Sequence, residues 1–190
     1  TDRAGLLSAL RSAVRCHQLL LLPGPADCAN WETSYPVSIE RDGTTAGVGL
    51  LMIGTAPILD RLVNDRWVGP CDGIDWYLAD VLKRVEYLRS KNVIPVLAIT
   101  SWPGPNSQFI YPSDYTKRTE CVRDAMTAFA SFERISSFDL APRLCASGPG
   151  SNCDMTRKDG VHVDSESAPA VLDWVINQTL GVTTKERAQL

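Results

Sequence analysis

Asp159 and His162, close to the C-terminal end, have the types and the spacing of a catalytic pair. In the run Asp159-Gly160-Val161-His162 the carboxylate precedes the imidazole by three residues, across a glycine turn. A carboxylate so placed fixes the imidazole tautomer, and the imidazole then takes a proton from a hydroxyl nucleophile. That is the chemistry of acyl transfer. The plain alternative is a turn: Asp-Gly is a common turn dipeptide, and a histidine after it can simply open a helix. The other histidine, His17, stands beside Cys16 at a helix–strand junction and reads as structural. Ser8 is a weaker nucleophile candidate, because it sits in the middle of a helical stretch beside Leu7.

The elements that must carry this pair follow from apolar periodicity. Leu6, Leu7, Leu10 and Val14 recur at helical spacing over 3–15, with Asp2 as N-cap. Leu19–Leu22 and Val48–Ile53 are short apolar runs that predict buried strands. Between them, 24–46 is a polar loop rich in Gly, Pro and Thr, a length that is uncommon without a function. A helix is predicted over 72–91, where Ile74, Tyr77, Leu78, Val81, Leu82, Val85 and Leu88 share a face. Val93–Thr100 predicts a buried strand, against which Pro95 is a mild objection. A helix over 114–132, a strand over 135–140 and a helix over 165–180 capped by Ser165 complete the order. Buried strands alternating with amphipathic helices imply an α/β fold, a parallel sheet with helices on both faces. One domain over 1–180 is expected, with 181–190 as a polar, frayed tail. The pair then falls in the last loop, at the carboxyl edge of the sheet, where open α/β folds place their sites. Folds of this kind open on a strand, whereas Thr1 heads a helix, so a first strand is expected before residue 1.

Composition bounds the partners. The chain has 190 residues, enough for one sizeable core. A net charge of −3 gives no electrostatic case for nucleic acid or an anionic membrane. Thr1-Asp2-Arg3-Ala4 has neither the basic segment nor the apolar core of a secretory leader, and no apolar run approaches a membrane span. The six cysteines, Cys16, Cys28, Cys71, Cys121, Cys145 and Cys153, form no CxxC metal pattern. They are read as three disulfides in an oxidising compartment, paired 16–28, 71–121 and 145–153. Connectivity does not follow from spacing alone, and six buried thiols in a cytosolic protein are the alternative.

An ordered set of segments resembles the SGNH (GDSL-type) hydrolases. Asp159-Gly160-Val161-His162, then Val163-Asp164-Ser165 and a helix with Val171 and Trp174, looks like the last block of that family. The further match is to the SGNH domains attached to bacterial membrane O-acyltransferases. It runs through Cys28-Ala29-Asn30-Trp31, the strand ending at Gly54, Trp67 before a helix with Asp75 and Tyr77-Leu78, the strand Val93–Thr100, and Asp139-Leu140 with Leu144-Cys145. The resemblance implies a flavodoxin-like three-layer sandwich and a Ser-His-Asp triad, with His162 as base and Asp159 as its orienting acid. It implies a nucleophilic Ser in a Gly-Asp-Ser motif after the first strand. The sequence contains neither Gly-Asp-Ser nor Gly-x-Ser-x-Gly, so the Ser is expected just before Thr1. It implies an oxyanion hole at Gly24 and Gly54; the Asn that the family often has after the second of these is replaced in Gly54-Thr55-Ala56-Pro57. Turn geometry is the alternative role of both glycines.

Trp31 and Trp102 fall in loops that follow strands, where a ring can form an acyl or sugar platform or else anchor the loop on the core. Trp76 and Trp174 lie on helices and read as packing, and Asp60-Arg61 as a surface ion pair. Asn177-Gln178-Thr179 fits a glycosylation sequon. The expected function is extracytoplasmic transfer or hydrolysis of an O-acyl group, most naturally acetyl, on a carbohydrate. The protein would be periplasmic, in the cell envelope or secreted. No metal or cofactor is implied. The partners are an acyl donor, a carbohydrate acceptor and a membrane-embedded acyltransferase upstream in the same protein. The alternatives are a non-catalytic carbohydrate- or partner-binding domain on the same fold, and a secreted esterase without a membrane partner.

Overall fold

The computed structural model describes residues 47–52, 56–104, 113–146, 148–149, 157, 160 and 162–187. The expected helix over 3–15, the strand Leu19–Leu22, the loop 24–46 and the residues Ser8, His17, Gly24, Trp31 and Gly54 lie outside them. By contacts the chain divides after Gly49, and Leu50–Leu190 carries all the described elements apart from the start of the strand that crosses the division.

The elements in order are β1 (Val48–Met52), a 3-10 turn (Ala56–Ile58), β2 (Arg61–Val63), β3 (Arg66–Val68), α1 (Asp75–Ser90), β4 (Ile94–Ile99), α2 (Tyr115–Phe132), β5 (Ser136–Asp139), α3 (Ala141–Leu144) and α4 (Ala168–Arg187). This is mixed α/β structure around a three-stranded sheet of order β1-β4-β5. β4 and β5 run parallel, in register from Val96 opposite Ser136 to Ile99 opposite Asp139. Pro95 precedes the first registered pair with β5, so its missing N–H costs that ladder nothing.

β4 is the centre of the core. Val96, Leu97 and Ala98 are fully buried and Ile99 nearly so. Successive side chains of a strand point to opposite faces, so both faces of β4 are covered. Helices α1, α2 and α4 all pack on this strand, and α2 and α4 also reach β5. Each brings an apolar stripe at helical spacing: Val81, Val85 and Leu88 on α1, Val122, Met126 and Ala130 on α2, Val171 and Val175 on α4. Trp174 meets Phe138 edge-to-face at 5.9 Å, which joins α4 to β5.

The two helix-to-strand turns repeat one device. After α1, the Asn92 N–H bonds to the Arg89 carbonyl and the Val93 N–H to the Leu88 carbonyl. After α2, the Arg134 N–H bonds to Ser131 and the Ile135 N–H to Ala130. Both are Schellman turns, with a left-handed residue after the cap and a buried apolar residue behind it. The left-handed residues are Asn92 at φ 57° and Arg134 at φ 53°, where glycine is usual.

Three expectations change. β2 and β3 form an antiparallel hairpin that periodicity does not predict. Its two-residue loop, Asn64-Asp65, has φ of 49° and 62°, the twist that suits tight hairpins. Helix α4 continues through Gly181 to Arg187, so 181–187 is not a frayed tail. A mid-helix glycine costs about 1 kcal/mol relative to alanine, which does not end a helix. The same helix begins at Ala168, after a turn in which the Asp164 carbonyl accepts the Ser167 and Ala168 N–H groups, so Ser165 is not its N-cap.

Candidate functional site at the carboxyl edge of the parallel strands

Strands β4 and β5 end side by side, and the loops that leave them are held by charged side chains. Beyond Ile99 the chain runs Thr100-Ser101-Trp102-Pro103-Gly104, and Asp139 ends β5 opposite Ile99. Arg123, from the middle of α2, reaches both strand ends. Its Nη1 and Nη2 donate to the two oxygens of Asp139 at 2.9 and 2.6 Å, and Nη1 also donates to the Thr100 carbonyl. Its guanidinium stacks over the Trp102 ring, 4.1 Å from the ring centre. Asp139 in turn accepts the Ala141 N–H at 2.8 Å and so starts α3.

The charge of Asp139 follows from these contacts. Burial by itself would push its carboxyl up. The Arg123 hydrogen bonds, the Ala141 N–H and the Arg123 charge outweigh burial and hold it below its ordinary value. Asp139 is therefore a fixed carboxylate at neutral pH.

A second arginine holds the same loop through its backbone. Arg157 is only 2% exposed, and its Nη2 donates to the Trp102 carbonyl at 2.8 Å and to the Leu144 carbonyl at 3.2 Å. Gly160 closes the next turn of the chain: its N–H bonds to the Arg157 carbonyl at 2.9 Å. At φ 76° this residue adopts backbone that a side chain would strain. Its carbonyl accepts the Gly104 N–H at 2.7 Å. The loop after β4 and the loop that leads into His162 are thus bonded to each other.

His162 lies in the bend after this junction, exposed, a few residues ahead of α4. Asp159 lies outside the described residues, as do Gly24, Gly54 and Trp31. Of the expected catalytic, oxyanion-hole and platform residues the structure therefore describes two, His162 and Trp102, and it ties the loops that carry them. Trp102 is half-buried, and Arg123 covers one face of its ring. Among the described residues no group of three or more His, Cys, Asp and Glu side chains could hold a metal ion.

Comparison of the chain with protein-family models, curated proteins and solved structures finds no match.

The cysteine reading is met where it is described. Cys71 and Cys121 form a disulfide, with Cα atoms 5.2 Å apart, between the loop after β3 and α2. Cys145 is disulfide-bonded; its expected partner Cys153, like Cys16 and Cys28, lies outside the described residues. One turn before Cys121, Arg118 donates to Asp60 at 2.5 Å, to Asp114 at 2.8 Å and to the Ile58 carbonyl at 3.3 Å. Asp60 therefore pairs with Arg118 across 58 residues, a tertiary contact that the sequence does not signal. No helix among the described residues is long and apolar enough to cross a membrane.

Arg123 and Arg157 are not legible as site residues in the sequence. Arg123 carries one usable signal: it falls four residues after the buried Thr119, on the side of α2 that carries Val122 and Met126. Arg157 carries none, because its surroundings in sequence are a turn-rich loop. A cavity of about 300 Å³ also lies at the amino end of β4, lined by Arg89, Asn92, Val93, Ile94, Pro95 and Arg134. Helices α1 and α2 both end there, and arginines at helix C-termini are explained by the exposed carbonyls and the dipole. Arg89, for one, donates to the Glu133 carbonyl at 2.6 Å.

Proposed function

We propose that this chain belongs to an extracytoplasmic serine-type domain that transfers or hydrolyses an O-acyl group, in the first place acetyl, on a carbohydrate. His162 acts as general base toward a serine hydroxyl and then as general acid toward the leaving alcohol. Asp159 orients the imidazole and stabilises its protonated form. The nucleophile is a serine on residues preceding Thr1, and backbone N–H groups at Gly24 and Gly54 receive the developing oxyanion, where one well-placed donor is worth about 2.7–4 kcal/mol of barrier. A membrane-embedded acyltransferase upstream in the same protein supplies the acyl group from its donor, and the acceptor is a sugar hydroxyl; water in its place gives the esterase. The accompanying fold is the flavodoxin-like three-layer sandwich of the SGNH hydrolases.

The observation that supports this reading most is the Gly104–Gly160 hydrogen bond. It fastens the loop before His162 to the loop leaving β4, at the end of parallel strands where open α/β folds carry out their chemistry. The Cys71–Cys121 disulfide agrees with an oxidising compartment.

A second reading, a carbohydrate-binding domain without catalysis, is favoured by the absence of Gly-Asp-Ser from the 190 residues and of Asn after Gly54. Hydrolysis of p-nitrophenyl acetate separates the two, measured on protein that includes the residues preceding Thr1. His162→Ala should lower the rate by about 10²–10⁴-fold. Equal rates in wild type and variant would leave the binding reading standing.

A further inference from the structure

We infer that Arg123 is the positioning residue for a sugar-binding wall formed by Trp102; the identity of the ligand as a carbohydrate rests on the function proposed above. The loop from Thr100 to Gly104 is held at four points: the Thr100 carbonyl and the Trp102 ring by Arg123, the Trp102 carbonyl by Arg157, and the Gly104 N–H by Gly160. A loop held only through its backbone leaves a side chain free to change rotamer. Here the ring itself is held, because a planar guanidinium lies on it.

That guanidinium is in turn fixed. Asp139 takes both of its Nη groups in a fork, and Asp139 is anchored at the end of β5, beside the central strand β4, and by the Ala141 N–H. The chain of restraint runs from the sheet through Asp139 and Arg123 to the Trp102 ring. Arg123 covers one face of the indole, so a ligand meets the ring on its remaining surface. An aromatic wall that is immobile before the ligand arrives loses little entropy on stacking against a sugar. The ligand that the proposed function supplies is an acylated pyranose, whose apolar face can stack on an indole. Arg123 does not touch the reacting atoms and acts through Trp102.

The test separates this role from the catalytic reading. Asp139→Asn keeps the shape of the carboxylate and removes its charge, and Arg123→Gln removes the stacked cation. The Trp102 component of the fluorescence is isolated by subtracting the Trp102→Phe protein in each background. Acrylamide should quench that component roughly twofold more effectively in both variants, with the emission of the other tryptophans unchanged. Binding of glucose pentaacetate, followed by titration calorimetry, should weaken by about threefold or more in Asp139→Asn and further in Arg123→Gln. Folded variants whose Trp102 quenching equals wild type overturn the positioning role. Absence of any heat of binding to the wild-type protein overturns the sugar wall. Neither readout needs turnover, so loss of the proposed esterase activity is judged separately, by His162→Ala.

Discussion

Arg123 and Asp139 meet through two parallel hydrogen bonds of 2.9 and 2.6 Å, which bolt the middle of α2 to the end of β5. The sign of the resulting pH dependence is set by the carboxylate. Burial alone would raise its pKa, but the Arg123 bonds, the Ala141 N–H and the Arg123 charge leave it below the ordinary value. A depressed carboxylate contributes stability that is complete above its unfolded pKa, about 3.9, and is lost as pH falls through the folded value. Asp139→Asn should therefore lower the melting temperature at pH 7 and pH 5. The gap to wild type should close as pH falls from about 4 toward 2. Thermal unfolding by circular dichroism at these pH values reads it, and a gap independent of pH would contradict the assignment.

The Cys71–Cys121 disulfide joins residues 50 apart in sequence. Closing a loop of that length restricts the unfolded chain by about 4 kcal/mol in the chain-entropy account, of which about 2–4 kcal/mol is usually realised. Replacing both cysteines with serine should lower the melting temperature by about 4–16 °C. Reduction of the wild-type protein, which also opens the disulfide of Cys145, should lower it at least as far. An unchanged melting temperature would show that Arg118 with Asp60 and Asp114 suffices to hold this corner.

Arg134 occupies the left-handed position of a Schellman turn, at φ 53°. A residue with a Cβ is less favourable there than glycine. Arg134→Gly should raise stability by about 0.5–1 kcal/mol, since relief of that strain exceeds the added freedom of the unfolded chain. Urea unfolding with an unchanged slope would read this as a shifted midpoint. Destabilisation instead would mean that the exposed Arg134 side chain contributes more than its backbone costs.

Arg157 is a buried cation that donates to two main-chain carbonyls, those of Trp102 and Leu144. Arg157→Met keeps most of the volume and removes both donors. Stability should fall by about 2–4 kcal/mol. The Gly104 amide, bonded to Gly160 in the same junction, should exchange with solvent about tenfold faster. Exchange of that amide at the wild-type rate would show that the Gly104–Gly160 bond stands independently of Arg157.

Helices α1 and α2 and strands β4 and β5 are readable from the chain, because their burial is written in local periodicity. Val81, Val85 and Leu88 repeat at helical spacing, and Val96–Ile99 is an unbroken apolar run flanked by turns. The Cys71–Cys121 bridge is also readable, as one pairing among several. Periodicity fails where the decisive contact is short or distant. The β2–β3 hairpin buries too little to leave a pattern: Leu62 and Trp67 face each other across it and are both exposed. Gly181 reads as a stop for α4, yet the helix runs through it.

The sequence by itself determined the residue types proposed for the site, above all Asp159 and His162, and the order of the main strands and helices that precede and follow them. Only the tertiary structure decided what surrounds Trp102. Arg123 is 16 residues from Asp139 and 21 from Trp102, and Arg157 is 55 from Trp102. A charged side chain in a helix or loop carries no local sign of its partner. Its position is settled by which carbonyls and carboxylates the packed sheet and helices leave in need of a donor.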